Sequence, residues 1–87
     1  ALHYAAHYGH LRCVELLLDN EVPVDMPDTL GDTALHYAAK RNQKDAISFL
    51  LFRKANPNAQ NKQGCTPLHY AVRTDSFDAA LLLLEAG

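Results

Sequence analysis

The chain has 87 residues, 48% of them hydrophobic and 21% charged, with a formal net charge of −2, which suits one small globular domain and no more. The slight acidity excludes the broad electrostatic pull that draws basic domains to nucleic acid or anionic membrane. No apolar stretch resembles a secretory signal or a membrane span, and Cys13 and Cys65 have no local pairing partner, so a cytoplasmic or nuclear location is expected.

The string LHYA begins at Leu2, Leu35 and Leu68, always at the same interval. A period of this length marks one supersecondary unit stacked on copies of itself, here 1–33, 34–66 and an incomplete 67–87. The first unit opens with a short helix of small and apolar residues, Leu2 to Ala6. It is predicted to stop near Gly9, where positive φ is tolerated. A second helix follows, with Val14, Leu17 and Leu18 at i, i+3, i+4 on its buried face, and Cys13 reads as a small buried hydrophobe. VPVDMPDTLGDT then breaks the helix at Pro23 and Pro27 and turns at Gly31, predicting a short extended hairpin.

The second unit repeats the scheme. Thr33 caps a helix from Ala34 to about Asn42, and His36, three residues past the cap, can reach back to it. Ile47, Leu50 and Leu51 mark the next helix, and NPNAQNKQGCT, with Pro57 and Gly64, the next hairpin. In the third unit Thr66 caps, Pro67 takes the first helical position, His69 matches His36, the helix stops near Asp75, and Ala80, Leu83 and Leu84 carry the apolar face. His36 and His69 are expected to be tied to backbone or hydroxyl groups at these joints, with His3 behaving alike.

GDTALHYAA and GCTPLHYAV resemble the T-P-L-H-x-A signature of ankyrin repeats, and YGHLRCVELLLDN resembles that family's G-H-x-x-V-V-x-L-L-L segment, so the likeness spans the whole chain. The resemblance implies a mainly α fold, an ankyrin-repeat solenoid of helix-turn-helix units joined by short β-hairpin loops. It also implies a non-catalytic protein–protein interaction module that binds a partner protein on a concave face of hairpin tips and first helices. Residues 1–87 would form one domain. With no polar helix covering either end of the stack, the sequence is expected to be part of a longer chain, an enzyme or signalling protein whose activity lies outside this segment being the alternative setting.

Carried onto matching positions, the implied partner-binding set is Thr29, Leu30 and Asp32 at one tip, Lys62, Gln63 and Cys65 at the other, and His7, Tyr8, Lys40, Arg41, Arg73 and Thr74 on the helices. These positions differ between units while the scaffold letters hardly change. Tyr4, Tyr37 and Tyr70 form an invariant column, either packing with a solvated tip or the aromatic floor of a groove. Three departures from the family pattern stand out. Glu21 and Lys54 replace a glycine that Gly87 keeps, so two turns are expected to be strained or differently closed; Asn61 replaces the usual Asp, which Asp28 retains; and Phe52 is placed on the outer face.

Charge divides by unit. Residues 1–33 carry one arginine against six carboxylates, net −5; residues 34–66 carry six cations against Asp45, net +5; residues 67–87 carry Arg73 against three acids, net −2. An acidic or phosphorylated segment docking at Lys40, Arg41 and Lys44 is therefore expected, while the acidic flanking units argue against nucleic acid. His3, His7 and His10 look like metal ligands, but His10 lies beyond the helix end and no carboxylate or thiol completes the set. Cys65 and His69 look like a nucleophile and base, but His69 is needed at its joint. No metal, cofactor, catalytic residue or membrane contact is expected, and a monomer is. The resemblance also makes Asn58, eight residues after Leu50, a candidate for asparaginyl hydroxylation.

Overall fold

The computed structural model describes residues 2–86, which form α1 (Leu2–His7), α2 (Leu11–Asp19), α3 (Ala34–Lys40), α4 (Lys44–Phe52), α5 (Pro67–Arg73) and α6 (Phe77–Ala86). The two end residues lie outside this description, and with them Gly87 as a turn glycine. Helices of six to ten residues are too short to hold in water alone, so their stability comes from packing.

Each helix pair is folded back by the same turn. Gly9, Asn42 and Asp75 have φ of +72°, +53° and +55°, and the next N–H in each case reaches five residues back: His10 to the Ala5 carbonyl, Gln43 to Ala38, Ser76 to Ala71. This left-handed closure satisfies carbonyls that a helix end leaves free. The second helices close identically. Glu21 and Lys54 adopt φ of +68° and +74°, with Val22 bonding back to Leu17 and Ala55 to Leu50. Both turns are thus strained by a side chain, as expected, but closed in the usual way.

The joints are built as the sequence indicates. The Thr33 N–H donates to His36 Nδ1 at 3.0 Å, while the His36 N–H faces the Thr33 hydroxyl. An accepting Nδ1 leaves the ring proton on Nε2, which donates to the Cys65 carbonyl at 2.8 Å, so a wholly buried His36 ties α3 to the joint just ahead of α5. The Thr66 N–H donates to His69 Nδ1 at 2.8 Å, and Pro67 sits at the start of α5. His3 Nε2 pairs with the Met26 carbonyl instead.

The first helices α1, α3 and α5 lie side by side, with α2, α4 and α6 behind them as a second layer. Alanines make the close approach possible: Ala6, Ala34, Ala38, Ala39 and Ala71 are wholly buried, and Leu2, Val14, Leu35, Ile47 and Leu50 fill the space between layers. Two sequence-level assignments need correction. Cys13 is exposed, although its equivalents Ala46 and Ala79 are buried, because its side of α2 looks away from the second unit. Leu84 is 63% exposed while its equivalent Leu18 is buried, because its side of α6 also faces away from the stack; Ala79 and Leu83 do the packing there.

The loops double back as hairpins do, without a β-strand among the described residues. The Asp28 N–H bonds to the Asp32 carbonyl and Gly31 to Asp28; Asn61 to Cys65 and Gly64 to Asn61 repeat the pattern, and Lys62 N–H to the Leu30 carbonyl joins the two tips. Gly31 is required here. Its φ is +83°, and a Cβ would sit 2.9 Å from the Lys62 nitrogen.

Candidate protein-interaction face

At each tip one side chain organises the loop. Asp28 Oδ1 accepts the N–H groups of Leu30 and Asp32 at 2.9 Å, and Asn61 Oδ1 accepts those of Gln63 and Cys65 at 2.9 Å. The remaining side-chain atom faces the tyrosine nine residues on. The Tyr37 hydroxyl donates to Asp28 Oδ2. That bond, with burial and the charges of Asp28 and Asp32, pushes the phenol up to about 12. Burial alone would raise the Asp28 carboxyl, but the bonds from Tyr37, Asp32 and Leu30 outweigh it and leave it below its ordinary value.

The second tip reverses the polarity. Asn61 Nδ2 donates to the Tyr70 oxygen at 2.7 Å and to Asp32 Oδ1 at 2.9 Å, and the Tyr70 hydroxyl donates to Asp32 Oδ1 at 3.0 Å. Since Asn61 Oδ1 is taken by two backbone N–H groups, its amide nitrogen must be the atom facing Asp32. Asp32 is only 2% exposed, so it leaves the set of partner-contacting residues: it is a buried acceptor bracing the next unit. Burial, then the bond to Asp32, raises the Tyr70 phenol. The tyrosine column is therefore not uniform. Tyr37 and Tyr70 have bonded hydroxyls, contrary to a solvated tip, and Tyr4 is 68% exposed.

The other assigned residues lie at the loop tips and around the ends of the first helices. Thr29, Leu30, Lys62 and Gln63 are exposed at the tips, with Cys65 half-buried. His7, Lys40 and Arg73 end the first helices, where the cations Lys40 and Arg73 suit the helix dipole, and Tyr8, Arg41 and Thr74 follow them. Arg41 and Arg73 are exposed; the Thr74 hydroxyl is turned inward, donating to the Tyr70 carbonyl at 2.9 Å. Lys44, exposed, begins α4. Asn58 is exposed, its N–H held by Asn56 Oδ1.

One feature was not read from the sequence. Lys40 Nζ stands 5.3 Å from the Tyr37 ring centre and 5.0 Å from that of Tyr70, and the Arg73 guanidinium lies 5.5 Å from Tyr70. The i, i+3 spacing of Tyr37 and Lys40, with Tyr70 one repeat later, carries that signal. Among the described residues the one ion pair is Arg53 with Asp19, at the ends of the second helices, so Lys40, which is half-buried, and the exposed Arg41 and Arg73 have no carboxylate partner. Their field reaches His7. Burial, then Arg41 and Lys40, lowers its imidazole, and His7 Nδ1 is buried with no hydrogen-bond partner.

His10 stands at the N-cap position of α2 without a side-chain capping bond; among the described residues no three His, Cys, Asp or Glu side chains gather as a metal site requires. No helix among them is long and apolar enough to cross a membrane. No curated protein matches the chain significantly. The family model for ankyrin repeats in three copies matches residues 2–87, the same three units that the capped joints, left-handed turns and two helical layers define. The chain belongs to the ankyrin-repeat family.

Proposed function

We infer that this chain is a protein–protein interaction module, as ankyrin repeats in general are, in a family that is typically non-catalytic. We propose that this module binds its partner along the concave side made by the tips and first helices, and that it takes an acidic or phosphorylated segment there. The observation that carries the reading is the uncompensated cluster of Lys40, Arg41 and Arg73, with Lys40 held close to two tyrosine rings. A lysine pinned over aromatic faces loses less freedom when a carboxylate or phosphate arrives, and rings beside it offer apolar contact to the same segment. Leu30, 62% exposed at the first tip, extends that apolar contact. Nucleic acid is disfavoured by the net −5 and −2 units on either side of the basic one. The setting proposed is the cytoplasm or nucleus.

The test uses fluorescence anisotropy with three labelled peptides: glutamate-rich, phosphoserine-bearing and lysine-rich. The first two should bind and the third should not, and K40E/R41E, with helicity checked by circular dichroism, should lose binding at least tenfold. Equal binding of wild type and K40E/R41E would overturn the reading. Affinity purification of cellular partners with both forms would then identify the ligand lost.

A further inference from the structure

Positions one repeat period apart fall side by side in this stack, and one such set alternates with tyrosine rings across the first helices. His7, Lys40 and Arg73 are equivalent residues at the ends of α1, α3 and α5. The His7 ring centre lies 5.8 Å from that of Tyr37, Lys40 Nζ lies 5.3 Å from the Tyr37 centre and 5.0 Å from that of Tyr70, and the Arg73 guanidinium lies 5.5 Å from Tyr70. The rings are anchored at their far ends. The Tyr37 hydroxyl donates to Asp28 Oδ2, and the Tyr70 oxygen bonds to Asp32 at 3.0 Å and to Asn61 at 2.7 Å. Cations resting against anchored rings keep a set separation, and that separation selects the ligand.

Lys40 and Arg73 both lie within 5.5 Å of the centre of one ring, so at most twice that, about 11 Å, separates them. Their helices α3 and α5 pack side by side, and packed helix axes stand about 8–10 Å apart. An extended strand turns a side chain to the same face every second residue, about 6.7 Å, or every fourth, about 13 Å, and neither fits. A polyproline II helix has three residues per turn and rises about 3.1 Å for each, so every third side chain returns to one face after about 9.3 Å, which fits. An α-helix spans about 10.5 Å only over seven residues, and it docks through an apolar stripe. The floor between the two cations is Tyr70, which is 9% exposed and offers no such groove. Resting on the acidic-segment reading, we propose that the ligand is a polyproline II segment laid across the first helices, with two Asp or Glu residues three positions apart. One carboxylate pairs with Lys40 and Arg41, the other with Arg73.

Fluorescence anisotropy at low ionic strength tests it, with labelled peptides of equal length and charge that each carry two glutamates. Three peptides set the glutamates two, three or four positions apart among prolines. A fourth keeps the spacing of three with glycines for the intervening prolines, and a fifth sets the glutamates seven apart on an alanine-based helix. The proline peptide with a spacing of three should bind tighter than the other two spacings by about fivefold, the worth of one good exposed ion pair. The glycine peptide should bind more weakly than its proline counterpart, because it must lose more freedom on docking. Arg73→Gln, at an exposed position and checked by circular dichroism, should bring the preferred peptide down to the level of the others. Equal affinities for every spacing, a preference that survives Arg73→Gln, a glycine peptide that binds as well, or a helical peptide that binds tighter would each overturn the proposal. If K40E/R41E still abolished binding in those cases, the acidic-segment reading would stand without this register. No binding by any acidic peptide would overturn both.

Discussion

Asn61→Asp is a change of one atom that should remove a large part of the molecule's stability at neutral pH. Asn61 Nδ2 is 2.9 Å from Asp32 Oδ1, and Asn61 and Asp32 are 8% and 2% exposed. A carboxylate at this position replaces that donor by a second negative oxygen. Two unit charges 4 Å apart cost about 4 kcal/mol at an effective dielectric of 20. The pair can escape by holding a proton, and an acid with an unfolded pKa near 3.9 pays about 1.4 kcal/mol per pH unit above it, again about 4 kcal/mol at pH 7. Both routes converge on a loss of about 4 kcal/mol, against a total stability of roughly 5–15 kcal/mol for a native domain. The sign follows from proton binding. The introduced carboxyl has its folded pKa raised above its unfolded value, so stability is intact below about pH 4 and is lost as pH rises through the folded pKa. Once protonated, the introduced acid also regains a hydrogen to donate to Asp32.

Urea denaturation followed by far-UV circular dichroism, for wild type and variant at about pH 4.5 and pH 7, measures this. The deficit should shrink by about 1.4 kcal/mol for each unit of pH lowered. The double variant D32N/N61D exchanges donor and acceptor and should recover at least half of the loss, with an interaction energy above about 1 kcal/mol. A deficit under about 1 kcal/mol at pH 7, or one independent of pH, would refute the bonding scheme at this tip.

Lys54→Gly should stabilise the chain by about 0.5–1 kcal/mol, since Lys54 sits at φ +74° where glycine has no Cβ penalty, and the urea midpoint should rise; no rise would mean that the side chain is not strained there. Cys13 should be labelled by a maleimide several-fold faster than Cys65 in the native protein, with the order read by intact mass spectrometry, because Cys13 is exposed and Cys65 half-buried. His7 is a reporter of docking. Its imidazole is lowered by burial and by Arg41 and Lys40, so an acidic peptide bound at those cations should move its NMR titration midpoint upward, and a midpoint unchanged at saturation would place the peptide elsewhere.

The capped joints, the turns at Gly9, Asn42 and Asp75, and the alternation of short and longer helices were legible in the letters because each depends on neighbours within about one helical turn. A backbone that needs positive φ, or a threonine three residues ahead of a histidine, is a local requirement, and the repeat period displays it three times. Asn61 shows where local reading stops. As a letter it was a departure from a pattern; in the fold it is the donor that makes a buried Asp32 tolerable, and Asp32 itself read as a surface residue. Those atoms meet across 29 positions of sequence, and no periodicity records which of two hydrogen-bonding atoms faces a neighbouring unit.

The same limit governs the candidate face. The sequence alone determined the unit, its helices, its joints and the basic charge of its middle copy, since spacing, capping chemistry and charge all reside in short strings. Tertiary structure alone decided that Lys40 stands close to both the Tyr37 and Tyr70 rings, that Cys13 and Leu84 look outward, and that the Tyr37 and Tyr70 hydroxyls are bound. Equivalent scaffold positions are chemically similar from copy to copy, but whether one is buried depends on whether another unit lies against it, and that is a property of the stack.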